Sequence, residues 1–150
     1  MPANDDNSQP KKKIKIMSTL LEIVESALTE HELHYYTRTN ETGGVVYLDM
    51  GGETIVIEAN EEGEYVRIWC CLSLPLKDEA KLQQAYQMVN AWNMERITKY
   101  YMDRDGDLII EKLIDTDDGM FNDAIFNAGF GRVVSALREA KGPMMKLCFC

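Results

Sequence analysis

The sequence predicts an α+β domain in which helices pack on one antiparallel sheet, with the element order α-β-β-β-α-β-β-α. Three observations support this prediction. Apolar residues recur at helical spacing in three segments, and they alternate with polar residues in several others. The alternating segments follow one another across short turns rich in Gly, Asn and Asp, which favours antiparallel pairing because parallel strands need long crossovers. Helices packed on a sheet of this kind are typical of the α+β class.

Length and composition indicate one globular domain. The chain has 150 residues, of which 45% are hydrophobic and 27% are charged, and this length supports one buried core but not two ordinary ones. We expect a disordered N-terminal tail at residues 1–15, because this segment is polar, charged and contains proline. A single domain at 16–143 and a C-terminal extension at 144–150 complete the predicted organisation.

The first helix is predicted to begin near Ser18 or Thr19. Thr19 and Glu22 have the spacing of a capping box, which satisfies free amides at a helix start. We expect the helix to end near residues 31–34. Its predicted apolar face consists of Leu20, Val24, Ala27 and Leu28.

Three strands are predicted next, at Val45–Met50, Thr54–Ala59 and Glu64–Ser73. Gly51-Gly52 joins the first two, because paired glycines reach the positive φ angles that tight hairpin turns require. Asn60–Gly63 forms the second turn. The three strands therefore form a meander.

The third strand of this meander carries the candidate binding surface. Its inward side is predicted to be Val66, Ile68, Cys70 and Leu72. Its outward side presents Tyr65, Arg67 and Trp69, and aromatic residues and arginine are enriched at the energetic centres of protein interfaces. The alternative is that a second helix covers this side, in which case the three residues have only a packing role.

The second half of the chain begins at Pro75, where the strand ends. Asp78 is predicted to cap a second helix. A hairpin follows, with strands Ile97–Met102 and Leu108–Ile114 around a turn at Asp103–Gly106. The apolar face of the second helix is predicted to be Leu82, Ala85, Tyr86, Val89 and Trp92.

A third helix is predicted after the loop at residues 116–119, and Gly142-Pro143 is expected to end it. Gly129 and Gly131 lie inside this helix, at a cost of about 1 kcal/mol each relative to alanine. We expect close approach to a neighbouring element to compensate for both. The predicted apolar face is Phe126, Phe130, Val133 and Leu137.

The acidic turns do not match a calcium loop. If Gly106 takes position 6 of an EF-hand, Tyr101 falls at position 1 and Lys112 at position 12, where a bidentate glutamate is needed. The segment Asp115–Gly119 fails in a similar way. Both are predicted to be turns or loops, and we predict no metal site.

The sequence contains no recognisable catalytic constellation. It has no phosphate-binding loop and no nucleophile elbow. His31 and His34 are one residue closer than in zinc proteases. Asn90 and Asn93 share a helix face, which is typical of helix termination with hydrogen bonds to the following segment. We therefore predict that the protein is not an enzyme and has no cofactor.

Four cysteines leave a second hypothesis open. Cys70 and Cys71 are adjacent in a predicted strand, so their side chains should point to opposite faces, and Cys148 and Cys150 lie at the C-terminus. A thiol-based redox or metal-binding protein using all four is the alternative function, because four thiolates can close a zinc site. The spacing of the adjacent pair fits such a site poorly.

Charge and hydropathy restrict the partner class. The formal net charge is -9, so the chain repels phosphate backbones and nucleic-acid binding is disfavoured. Lysines at positions 11, 12, 13 and 15 are too few to outweigh the acidic remainder. No apolar run approaches the roughly 20 residues that span a bilayer, so we expect no membrane contact and a cytoplasmic location. We expect a protein partner.

The stretch from Val89 to Asp107 resembles the YbjN family of bacterial proteins, which are described as sensory transduction regulators. Asn90 and Asn93 at a helix end, followed by a hairpin containing Asp105-Gly106-Asp107, carry the resemblance, and the similar element order extends from about residue 17 to residue 141. The resemblance implies a type III secretion chaperone-like fold. It also implies a homodimeric, non-enzymatic regulator or chaperone that binds extended protein segments. A dedicated type III secretion chaperone is the narrower alternative.

Overall fold

A computed structural model of the protein describes residues 18–76 and 78–150. The N-terminal tail expected at residues 1–15 lies outside the described residues. Within them the order of elements is α-β-β-β-β-α-β-β-α.

The three helices are α1 (Leu20–Glu30), α2 (Glu79–Glu95) and α3 (Asp123–Phe149). Both predicted N-terminal caps are confirmed. The Thr19 side chain accepts a hydrogen bond from the Glu22 amide at 3.1 Å, and the Thr19 amide donates to the Glu22 carboxylate at 3.0 Å. Asp78 accepts a hydrogen bond from the Ala80 amide at 2.9 Å.

Helix α3 extends past Pro143, so the prediction that Gly142-Pro143 ends it is wrong. A proline inside a helix costs about 3 kcal/mol relative to alanine. Burial of apolar side chains beyond it offsets this cost, since a buried methionine contributes roughly 1.5–3 kcal/mol. Met144 is fully buried, and Met145, Leu147 and Cys148 pack against the core.

Six strands form one antiparallel sheet in the order β1-β2-β3-β4-β6-β5. They are β1 (Tyr36–Asn40), β2 (Gly43–Met50), β3 (Glu53–Asn60), β4 (Tyr65–Leu72), β5 (Lys99–Met102) and β6 (Leu108–Asp115). The predicted hairpin turn at Gly51-Gly52 is confirmed by φ angles of 64° and 90°.

Strand β1 was not predicted, so the expected total of five strands is corrected to six. It is an edge strand with mostly exposed side chains, and such a strand needs no alternation of apolar and polar residues. Strand β6 lies between β4 and β5 because the chain returns from the edge after crossing with α2.

All three helices contact the same face of the sheet. The predicted inward residues of β4 are all buried there, together with most of the predicted helix faces. Tyr86 is an exception, because the sequence placed it on the apolar face of α2 and the structure leaves it 43% exposed. Gly129 on α3 lies against Ile114 and Ile68 of that face. The helices that the structure describes include none that is both long and apolar enough to cross a membrane.

Candidate functional site

The sheet face opposite the helices, here called the open face, carries the candidate site. Alternate residues of each strand point away from the helices, and no described helix packs over them. One row of side chains crosses the open face from edge to edge, as the strand register shows. It consists of Tyr36, Tyr47, Val56, Trp69, Glu111 and Lys99.

The structure places the three predicted site residues on the open face. Tyr65, Arg67 and Trp69 are half-buried, whereas the residues between them on β4 are buried beneath the helices. The alternative, in which a second helix covers these side chains, is not observed among the described elements. The three side chains are therefore partly accessible to a binding partner.

Arg67 is held at the centre of the open face by three neighbours. Its Nε donates a hydrogen bond to the Glu111 carboxylate, and Nη2 donates to the Tyr101 hydroxyl at 3.1 Å. The guanidinium lies 5.0 Å from the centre of the Trp69 ring, within cation–π range. Burial lowers the pKa of Arg67, but Glu111 and Tyr101 raise the pKa by more, so the charge is secure.

Glu111 is the buried anion that organises this cluster. Glu111 is only 8% exposed, and a buried charge needs close partners. Besides Arg67, the carboxylate lies 3.4 Å from the Tyr101 hydroxyl and 3.7 Å from Lys99 Nζ. The polar atoms are therefore fixed before any partner arrives, which reduces the ordering cost of binding.

Apolar surface surrounds this polar cluster. Tyr36 is 60% exposed and Leu113 is 55% exposed, while Val56 and Ile109 are buried between their strand neighbours. Sequence reasoning missed Tyr36, Tyr47, Tyr101 and Glu111, because their place beside Trp69 depends on strand register. A pairing signal between distant strands would have been needed to find them.

The thiols do not converge on one site. Cys70 lies in the core and Cys71 points to the other side of β4, and among the described residues no group of cysteines has metal-ligand spacing. Burial raises the pKa of Cys70 to about 12, so its thiol is protonated at neutral pH. Burial also raises the pKa values of Cys71 and Cys148. Thiolate chemistry therefore has no support from this geometry.

One mixed cluster contains Cys71, Asp103 and Asp107, whose ligand atoms lie within 4.8 Å of one another. The two carboxylates already have structural roles. Asp103 accepts hydrogen bonds from the Asp105 and Asp107 amides at 2.9 Å, and Asp107 accepts one from Leu74 at 3.0 Å. The segment is the hairpin turn that the sequence predicted, with Gly106 at a φ of 80°.

The side chain of Asn93 binds backbone groups on the outer edge of β5. Its side chain donates to the Tyr100 carbonyl at 2.7 Å and accepts from the Tyr100 amide at 2.8 Å. This contact confirms that Asn93 ends a helix by hydrogen bonding to the next segment. Asn90, His31 and His34 are exposed, and neither histidine belongs to a metal-ligand cluster among the described residues.

Solved structures share this architecture. An uncharacterized protein from Methanothermobacter thermautotrophicus gives a TM-score of 0.67 at 11% identity, covering 85% of this chain and 97% of that one. The Yersinia pestis type III secretion chaperone SycH, in complex with a stable fragment of YscM2, gives 0.57 at 14% identity and covers 84% and 99%. The ExsC-ExsE complex gives 0.57 at 14% identity and covers 79% and 91%. These likenesses show the predicted α+β, type III secretion chaperone-like fold.

A family model agrees with this fold. The YbjN model, described as "Putative bacterial sensory transduction regulator", matches residues 20–128. The match begins at the first residue of α1, contains all six strands and ends inside α3. A search of curated protein sequences found no match. Because the family model covers well over half of the chain, this protein belongs to the YbjN family.

Proposed function

We propose that this protein is a non-enzymatic, chaperone-like regulator that binds another protein through the open face. One observation carries the proposal. The stacked side chains of Arg67 and Trp69, here called the Arg67–Trp69 centre, are partly accessible on the open face. Hydrogen bonds to Glu111 and Tyr101 fix the position of Arg67. Tryptophan, tyrosine and arginine are the residues that most often dominate protein interfaces. Tyr36 and Leu113 supply exposed apolar surface around it.

The structural neighbours support a protein partner. SycH was solved with a fragment of YscM2, and ExsC was solved with ExsE. The fold thus presents surfaces that bind polypeptides in other proteins. A homodimer in the cytoplasm is part of the proposal, and light scattering of the purified chain tests its oligomeric state. A dedicated secretion chaperone would differ in having an exported client.

The decisive experiment compares Trp69→Ala with Tyr86→Ala. Both changes remove one aromatic side chain, but Tyr86 lies on α2 and is 43% exposed. A protein retained by the wild-type chain is identified, purified and recombined with each variant. We expect Trp69→Ala to weaken binding by roughly tenfold or more, as for a hot-spot residue, and Tyr86→Ala to leave the affinity unchanged.

A photo-crosslinking residue at position 36 then locates the bound partner. Tyr36 is exposed at one end of the row that contains Trp69, so a partner on the open face should be captured there. Cross-links confined to the helices, or equal affinity of the Trp69→Ala and wild-type chains, would contradict the proposal.

A further inference from the structure

Strand β6 has a free edge beyond the end of β5. Strand β5 pairs with β6 only from Lys99 opposite Glu111 to Met102 opposite Leu108. Residues 112–115 of β6 pair with β4 on one side, and no strand of residues 18–76 or 78–150 pairs with them on the other. At about 3.3 Å per residue, this edge is long enough for a short added strand.

The edge presents unpaired backbone groups. The Thr116 amide donates to the Glu64 carbonyl on the β4 side at 2.9 Å. Because successive residues of a strand alternate in direction, the amides and carbonyls of Leu113 and Asp115 point to the free side. Neither backbone has another hydrogen bond among the described residues. In contrast, Asn93 already occupies the outer edge of β5 at Tyr100.

A groove runs beside this edge. Strand β6 and helix α3 line an open cavity of about 350 Å³. It adjoins a second open cavity of about 650 Å³ between α3 and residues 95–98. Ala128 and Arg132 line both cavities. Ile125 and Ile97 are exposed along them, at 40% and 68%. An added strand would therefore place alternate side chains against an apolar helix surface.

The charges of the groove indicate the chemistry of the occupant. Lys112 and Arg132 both line it, and neither forms an ion pair with a described residue. One acid, Asp115, also lines this cavity, so its lining carries a net positive charge, whereas the whole chain has a net charge of -9. A carboxylate entering the groove between Lys112 and Arg132 would gain charge-assisted hydrogen bonds.

We propose that the free edge of β6 binds an extended segment of a partner protein by strand addition. The segment carries an acidic side chain directed at Lys112 and Arg132, flanked by apolar residues. Backbone hydrogen bonds to Leu113 and Asp115 supply affinity, and the groove supplies specificity, as in other cases of strand addition. This site is separate from the Arg67–Trp69 centre and goes beyond the function proposed for the open face.

The test uses short random peptides displayed on phage and selected against the full chain. Individual synthetic peptides are then measured against variants. Leu113→Pro removes the outward amide, whereas Leu113→Ala changes the side chain and keeps the amide. Gly131→Trp fills the groove, because a Cβ at this position meets nothing within 4 Å. Arg132→Glu reverses one cation.

We expect selected peptides to contain Asp or Glu between apolar residues. Their affinity should fall by roughly tenfold or more in the Leu113→Pro, Gly131→Trp and Arg132→Glu chains, and it should persist in Leu113→Ala and Trp69→Ala. If Leu113→Pro fails to fold by circular dichroism, Gly131→Trp carries the test. Loss of binding in Trp69→Ala alone would assign the peptides to the open face and refute the edge site.

Four other results would overturn the proposal. The selection could yield no peptide, or only peptides that lack an acid and bind Arg132→Glu normally. A dimer that Leu113→Pro dissociates would make a second copy the occupant. Peptide binding that requires deletion of residues 1–17 would make the chain's own N-terminal segment the occupant.

Discussion

Two glycines of α3 provide a paired test of close packing. A glycine inside a helix costs about 1 kcal/mol relative to alanine, so Gly131→Ala should stabilise the protein by about that amount, since its Cβ would enter open space. Gly129 is different. Its added Cβ would lie 2.9 Å from Ile114 Cδ1 and 3.5 Å from Ile68 Cδ1, and overpacking typically costs 1–3 kcal/mol. We expect Gly129→Ala to be neutral or destabilising.

The cause of this difference is testable by a double-mutant cycle. Ile114→Val removes the Cδ1 atom that Gly129→Ala would meet. It should cost roughly 0.5–1.5 kcal/mol by itself. In that background Gly129→Ala should recover the helix-propensity gain of about 1 kcal/mol, which gives a coupling energy of roughly 1–3 kcal/mol.

Urea unfolding followed by circular dichroism measures each free energy of unfolding, and Gly131→Ala serves as the matched control. The reasoning is refuted if Gly129→Ala stabilises the wild-type chain as much as Gly131→Ala does. It is also refuted if the cycle shows no coupling between Gly129 and Ile114.

Other predictions concern caps, strain and thiols. Thr19→Ala should lower the free energy of unfolding by about 1 kcal/mol, measured in urea against Ser18→Ala as a control. Pro143→Ala should raise it by roughly 1–3 kcal/mol, because the proline lies inside α3; an unchanged or lowered value would contradict this. Asn93→Ala leaves both backbone groups of Tyr100 unpaired and should cost about 2 kcal/mol; a loss near zero would show that water replaces the side chain. Alkylation at pH 8 followed by mass spectrometry should modify exposed Cys150 first and Cys70 only on unfolding, because burial raises the Cys70 pKa to about 12; rapid labelling of Cys70 in the native chain would disprove this.

The fold was predictable where local chemistry decides the backbone. Three element boundaries are set by residues close in sequence. They are the capping box of Thr19 and Glu22, the Asp78 cap, and the Gly51-Gly52 turn. Strand β1 was missed because an exposed edge strand needs no apolar alternation. The end of α3 was missed because burial of Met144 outweighs the local signal of Pro143.

The candidate site was predictable in part for the same reason. Alternation along β4 was enough to group Tyr65, Arg67 and Trp69 on one side. The partners of Arg67 could not be found this way, since Glu111 and Tyr101 come from strands that pair only after the chain has crossed with α2. Gly129 was correctly expected to contact a neighbouring element, whereas the same expectation for Gly131 is wrong.

The position of β6 between β4 and β5 has a consequence for the folding pathway. Strands β1 to β4 form a meander of local hairpins, and β5 with β6 forms another hairpin. The strands of these two units pair along the β4–β6 seam, where Tyr65 pairs with Asp115 and Leu72 with Leu108. Local hairpins close quickly, whereas distant pairings must first overcome loop-closure entropy. Formation of the seam should therefore limit the folding rate, and substitutions there should slow refolding more than substitutions within β2.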